Sequence, residues 1–217
     1  MLIFKSYFNF LVNPKRNYTS TKSKKQILTF LTVLLITYIL LFIISFIPTV
    51  QITSDASRIL NLIASDNPVV FLLIPLYEEL MFRLPLKVSK SNIAISAGLF
   101  ISSVLLVLAN VVFNAQLSLL HFYLLSFTGA IPFFFLIKSL YGQSTETFFT
   151  KNYNYLFYIS LILFAALHFY SQDFSLPALL TYLVYGYSLS FLRVSTNFLN
   201  SLILHFIFIA PFLFKLF

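Results

Sequence analysis

Apolar residues fall in seven long runs, at about 27–47, 69–86, 93–113, 119–138, 155–172, 176–193 and 199–217. Each is close to the ~20 residues that a helix needs to cross the hydrocarbon core of a bilayer. Strands of a membrane barrel would alternate apolar and polar residues over about ten positions, and these runs do not alternate. Turn-forming residues stand in the breaks, among them Pro48, Asn67-Pro68, Gly142 and Pro177. There is no internal repeat, no heptad seam and no Gly/Ser linker. The pattern predicts an all-α, polytopic helical bundle of about seven transmembrane helices, forming one domain over 27–217. Ahead of it lies a basic N-terminal lead, residues 1–26, whose Leu2 to Val12 stretch is apolar enough to lie along a membrane interface as a short helix. No small-residue cleavage site follows the first long run, which therefore reads as a retained span and not as a signal peptide.

Composition sharpens this picture. The 217-residue chain is 59% hydrophobic and only 9% charged, with a mean hydropathy of +0.92. Soluble domains carry roughly 25% charged residues, and a chain this poor in charge cannot cover its surface with polar groups in water. Lipid as solvent permits helices, because every backbone polar group must be satisfied internally. Cysteine is absent, which excludes disulfides and thiolate metal sites.

The formal charge of +8 would suggest nucleic acid in a soluble protein. Here the basic residues flank apolar runs, so topology is the better explanation and no nucleic-acid partner is expected. With seven spans, eleven lysines and arginines fall on one side: six in the lead, then Lys87, Lys90, Lys138, Lys151 and Arg193. Only Arg58 and Lys215 fall on the other, with Asp55, Asp66 and Asp173. The positive-inside rule then places the N-terminus in the cytoplasm and the C-terminus outside.

Charge inside a span is costly and needs a reason. Of six acidic residues, two lie together inside an apolar run, in Ile74-Pro-Leu-Tyr-Glu78-Glu79-Leu-Met-Phe-Arg83. On a helix Glu79 and Arg83 are four apart, acid before base, which is the favourable order for an ion pair. Glu78 projects about 100° away and has no basic partner at helical spacing. Pro75 removes a backbone hydrogen bond just upstream and is expected to bend the helix and admit water. Three histidines also sit in apolar runs. His121 reads as a packing or hydrogen-bonding residue. His168, closing Phe164-Ala-Ala-Leu-His168, and His205, in Leu202-Ile-Leu-His205-Phe-Ile, would each read the same way alone. Together with the glutamates they supply a carboxylate base, a group to orient water and a second donor for an oxyanion. Counted along straight spans, however, His168 lies roughly 5–10 Å from the depth of Glu78 and His205.

Glu78-Glu79-x-x-x-Arg83, then Phe164-x-x-x-His168, then His205 in the last helix, resembles the CAAX protease and bacteriocin-processing (CPBP/Abi) family of intramembrane endopeptidases. Tyr185-Gly186 through Arg193, followed by Asn200-Ser201 and His205, resembles that family's closing helix pair. The likeness covers about 69–210, and the first motif is its most specific part. The resemblance implies a peptidase in a bacterial inner (plasma) membrane that cuts a membrane-associated peptide or protein with activated water. It implies Glu78 as the base, His168 as its partner, His205 as an oxyanion donor, and Glu79 with Arg83 as a structural ion pair. No cofactor is required on this reading, although Glu78, His168 and His205 are also a possible zinc set.

Two features depart from the family. Ile209 stands where an Asn or Asp usually follows the last histidine by one turn, and loss of such a donor typically costs about 10²–10³ in rate. The spans at 93–113 and 119–138 replace a link that is often shorter. Ile209 keeps open an alternative, a non-catalytic relative acting as a membrane immunity or binding protein. A small transporter using the carboxylates as a proton site is a third reading, weakened by the lack of a repeat.

Overall fold

The computed structural model describes residues 2–14, 23–47, 69–113, 117–168 and 175–213. Pro48, Asn67-Pro68, Asp55, Arg58, Asp66, Asp173, Lys215 and the lead residues Lys15, Arg16 and Lys22 lie outside the described residues. Helices α1 (Leu2–Val12), α2 (Ser23–Ser45), α3 (Val69–Glu78), α4 (Lys90–Phe113) and α5 (Leu119–Leu140) come first. They are followed by α6 (Gln143–Lys151), α7 (Tyr153–His168), α8 (Leu176–Ser195) and α9 (Phe198–Leu213). No strand occurs among the described residues.

Three helices are long and apolar enough to cross a membrane: α2 from Lys24, α4 and α5. Helices α7 and α9 are apolar but shorter. The run 69–86 is a single stretch of changing pitch, α3 passing into a π turn, Glu79–Arg83, and a 3₁₀ turn, Leu84–Leu86. Pro75 lies inside α3 without ending it, and the departure from α geometry comes after Glu78. Between α5 and α7 the structure adds α6, a polar helix with no buried residue, where the sequence pattern showed only a break.

Helix α8 lies at the centre. Every residue from Gly186 to Ser195 is buried, so this helix spends its polarity inside the protein instead of against lipid. Ser188 shows how: Tyr7 Oη of α1 lies 2.8 Å from its hydroxyl, and Thr37 Oγ1 of α2 donates to it over 2.7 Å. Ser190 and Ser195 donate back to carbonyls four residues earlier, at 2.7 Å each. At its end Arg193 donates from Nε to the Arg83 carbonyl, 3.4 Å away. Lys87 donates to the Thr196 carbonyl over 2.8 Å. Burial, together with the nearby Arg193 cation, pushes the Lys87 ammonium below its ordinary range.

Helix α1 does more than lie on a surface. Tyr7 and Phe10 are fully buried, with Phe10 edge-on to Phe157 at 4.9 Å between ring centres. The Tyr187 hydroxyl donates to the Tyr7 carbonyl. Helices α4 and α5 form a hairpin whose contact is made by small residues. A Cβ on Gly98 would lie 2.9 Å from the Ala130 carbonyl oxygen, and one on Gly129 would lie 2.4 Å from Ser102 Oγ. Lipid tails are as apolar as leucine, so close backbone approach of this kind holds membrane helices together. Large apolar side chains such as Leu35, Phe42, Val111 and Phe135 are exposed on the outer faces of α2, α4 and α5.

Candidate functional site

The π turn is the centre of the site. The Leu84 N–H bonds back to the Glu79 carbonyl, five residues earlier, which widens the turn and offsets Arg83 from the position directly above Glu79. Their ion pair therefore forms through Nε alone, at 3.7 Å from Glu79 Oε1, and not as a two-pronged fork. The Arg83 guanidinium lies over the Phe164 ring, 3.6 Å from its centre, a favourable cation–π placement. Its two terminal nitrogens are buried with no hydrogen-bond partner among the described residues. π turns of this kind are frequent at functional sites.

Glu79 is fully buried and fully engaged. Ser201 Oγ of α9 lies 2.6 Å from Glu79 Oε2 and 3.0 Å from the Leu189 carbonyl. One hydroxyl proton serves one acceptor at a time, and the charged carboxylate is the stronger of the two. His205 Nδ1 donates to Glu79 Oε1 over 3.1 Å. With Arg83 on the same oxygen, Glu79 has three partners from two helices.

Glu78 stands in contrast. Its side chain is 13% exposed, with His205 Nε2 3.3 Å from Oε2 and His168 Nε2 3.8 Å from Oε1. Neither contact is a hydrogen bond: the first is off line, leaving Oε2 without a partner, and the second is too long. His205 thus sits between the two glutamates, one ring nitrogen toward each. Two histidines distant in the sequence meet at one carboxylate. The depth mismatch expected from straight spans is absent: both rings reach the Glu78 carboxylate at the π turn. The sequence-based view of Glu78 as lacking a partner held only along its own helix.

Hydrogen-bond partners assign the histidine tautomers. His168 Nδ1 lies 2.8 Å from the Phe164 carbonyl, which can only accept, so Nδ1 carries the proton. A neutral His168 then presents a lone pair from Nε2 toward Glu78. By the same argument the His205 Nδ1–H is committed to Glu79, so Nε2 can donate only when the ring is doubly protonated. The His168 ring stacks on Tyr182 of α8, with centres 4.2 Å apart, and meets Phe164 edge-on at 4.6 Å. Gly186 makes this arrangement fit. A Cβ there would come 2.7 Å from Phe164 Cδ1 and 2.8 Å from Leu161 Cδ1.

Three aromatic residues complete the wall, and sequence reasoning missed them. Tyr77 is buried, its hydroxyl bonded to Ser103, with Tyr123 of α5 5.0 Å away ring to ring and Phe127 beyond it. Helix α5 thus packs its rings against Tyr77, the residue next to Glu78. The tyrosines carried no local signal because the chain has thirteen of them.

His121 is outside this cluster, exposed in the first turn of α5 with Ser118 Oγ 2.7 Å from Nδ1. Asn197 caps α9, accepting from the Asn200 N–H at 2.8 Å, and its amide donates to Gln26 at 3.3 Å. Ile209 is half-buried one turn beyond His205 and brings no polar atom. For zinc the donors would be Glu78, His168 and His205. Among the described residues, no group of three or more His, Asp or Glu side chains is arranged to hold a metal ion.

A scan against protein-family models, a search of curated proteins and a search of solved structures each found no match.

Proposed function

We propose that this protein is an intramembrane endopeptidase of the CPBP/Abi type, in which Glu78 activates a water molecule to hydrolyse a membrane-associated peptide. The observation that carries the reading is the unequal treatment of two adjacent glutamates. Glu79 is saturated by Arg83, Ser201 and His205, whereas Glu78 faces two imidazoles without a hydrogen bond to either. A carboxylate held in place but not consumed is what general-base catalysis requires.

The 3.8 Å gap between Glu78 Oε1 and His168 Nε2 is spanned by one water making a hydrogen bond to each. Both of its protons then point at acceptors and its lone pair is free to attack. Glu78 takes a proton as the oxygen adds to the peptide carbonyl. When the C–N bond breaks, that proton passes to the leaving amine. His205 serves the oxyanion only in its doubly protonated form. A protein in this role spans the plasma membrane seven times, N-terminus in the cytoplasm and C-terminus outside. It requires no cofactor.

The decisive experiment is cleavage of a panel of membrane peptides by the detergent-purified full chain. Glu78→Gln should abolish cleavage while leaving the fold intact, since glutamine keeps the shape but takes no proton. His168→Ala should do nearly the same, and His205→Ala should leave more activity. Ile209→Asn should raise turnover about tenfold if its amide reaches the oxyanion. Inactivity of both the native chain and Ile209→Asn would favour the non-catalytic binding or immunity protein, the reading that the apolar Ile209 supports.

A further inference from the structure

A second site lies away from the glutamates, where α6 meets α7 beside the end of α1. It is a cavity of about 500 Å³ whose lining includes Thr150, Lys151, Tyr153, Asn154, Tyr155 and Tyr158. None of its lining residues is acidic. Lys151 brings a cation, Asn154 an amide donor and Tyr155 a phenol to one concave surface. Tyr158 fixes the wall, donating from its hydroxyl to the Leu11 carbonyl over 2.6 Å. The chemistry is that of an anion site.

Two further observations identify the anion. First, the cavity lies where polarity changes to apolarity, because α6 is polar with no buried residue while α7, after Asn154 in its first turn, is mostly apolar. Second, an apolar row leaves the cavity on each bordering helix. On α7 it is Tyr155, Ile159 and Ile162, 70%, 56% and 61% exposed. On α1 it is Phe4, Phe8 and Leu11, 53%, 39% and 44% exposed. Both rows follow the i, i+4, i+7 spacing of one helix face. A free anion has no use for such rows, whereas a lipid needs somewhere to lay its chains.

We infer that this cavity binds the headgroup of an anionic phospholipid, with Lys151 contacting the phosphate and the acyl chains lying along α7 and α1. Tyrosine and lysine are the residue types that anchor at membrane interfaces. The site does not depend on whether the glutamate centre is catalytic; it requires only that α7 faces lipid.

The test adds phosphatidylglycerol, phosphatidylcholine or inorganic phosphate to the delipidated full chain in detergent. Thermal stability and lipid adducts retained in native mass spectrometry are then measured. Phosphatidylglycerol should raise the melting temperature and give a saturable adduct, and phosphatidylcholine should do neither. Lys151→Ala should weaken phosphatidylglycerol binding about fivefold, the usual effect of one basic residue at an anionic surface. Lys90→Ala, which removes another exposed lysine, should leave binding unchanged. Equal stabilisation by inorganic phosphate would make this a free-anion site and overturn the lipid assignment. Equal retention of phosphatidylglycerol by Lys151→Ala would overturn the site itself.

Discussion

Two neighbouring glutamates with opposite circumstances make the residue scale the place where function is decided. Glu79 is wholly buried with its charge balanced by Arg83, and removing one partner of a buried pair costs about 3–5 kcal/mol. Arg83 also fills space over Phe164. Arg83→Ala should therefore lower the melting temperature in detergent markedly, on the scale of that 3–5 kcal/mol. Glu78→Ala removes a carboxylate that makes no hydrogen bond at Oε2, so stability should hold or rise slightly. Melting curves of the two variants check this, and the opposite order would exchange the roles given to the two acids. The i, i+4 pairing of Glu79 with Arg83 was legible in the sequence. Its single-nitrogen geometry was not, because it comes from the π turn and no residue between Glu79 and Arg83 announces one.

Elements position those residues through close approaches. Helix α8 can press against α7 because Gly186 has no side chain, and that contact holds Phe164 beneath Arg83 and His168 against Tyr182. Gly186→Ala would drive a methyl into the buried Phe164 ring and the Leu161 side chain, an overpacking that typically costs about 1–3 kcal/mol. Gly142→Ala, whose new methyl would meet nothing nearer than 3.9 Å, should be neutral by comparison. If the endopeptidase reading is right, Gly186→Ala should also slow cleavage by displacing His168. Paired thermal melts of the two glycine variants separate close packing from a general intolerance of change. The position of Gly186 within the resembling helix pair was visible in the sequence. The need for it came from Phe164 and Leu161, more than twenty residues away in the chain.

At the scale of the whole molecule, the proposed seven-span topology is one that reporters can read. Tags at residues 25, 145 and 217 should report cytoplasm, cytoplasm and outside, as eleven basic residues against two require. Finding 145 and 217 on the same side would remove one span from the seven. Each of the seven apolar runs coincides with a helical stretch, and the signature of a span is a helix both long and apolar. Three helices, α2, α4 and α5, carry that signature in full.

Other features were open until the chain was folded. Helix α8 is less apolar than a lipid-facing helix because its Ser188 and Arg193 find partners inside the protein. Helix α1 has one buried face, where Tyr7 and Phe10 meet α8 and α7. Periodicity along one helix speaks for residues three and four apart, and for the face turned to solvent or lipid. It is silent on which other helix arrives at that face. Glu79 meets Ser201 across 122 residues and His205 across 126, contacts set by how the π turn and α9 pack against α8. The sequence by itself thus determined that the chain forms apolar helices with a costly charge cluster in one of them. Only the tertiary structure decided which glutamate is saturated and which keeps an oxygen without a hydrogen bond, because hydrogen-bond partners inside a bundle come from other helices.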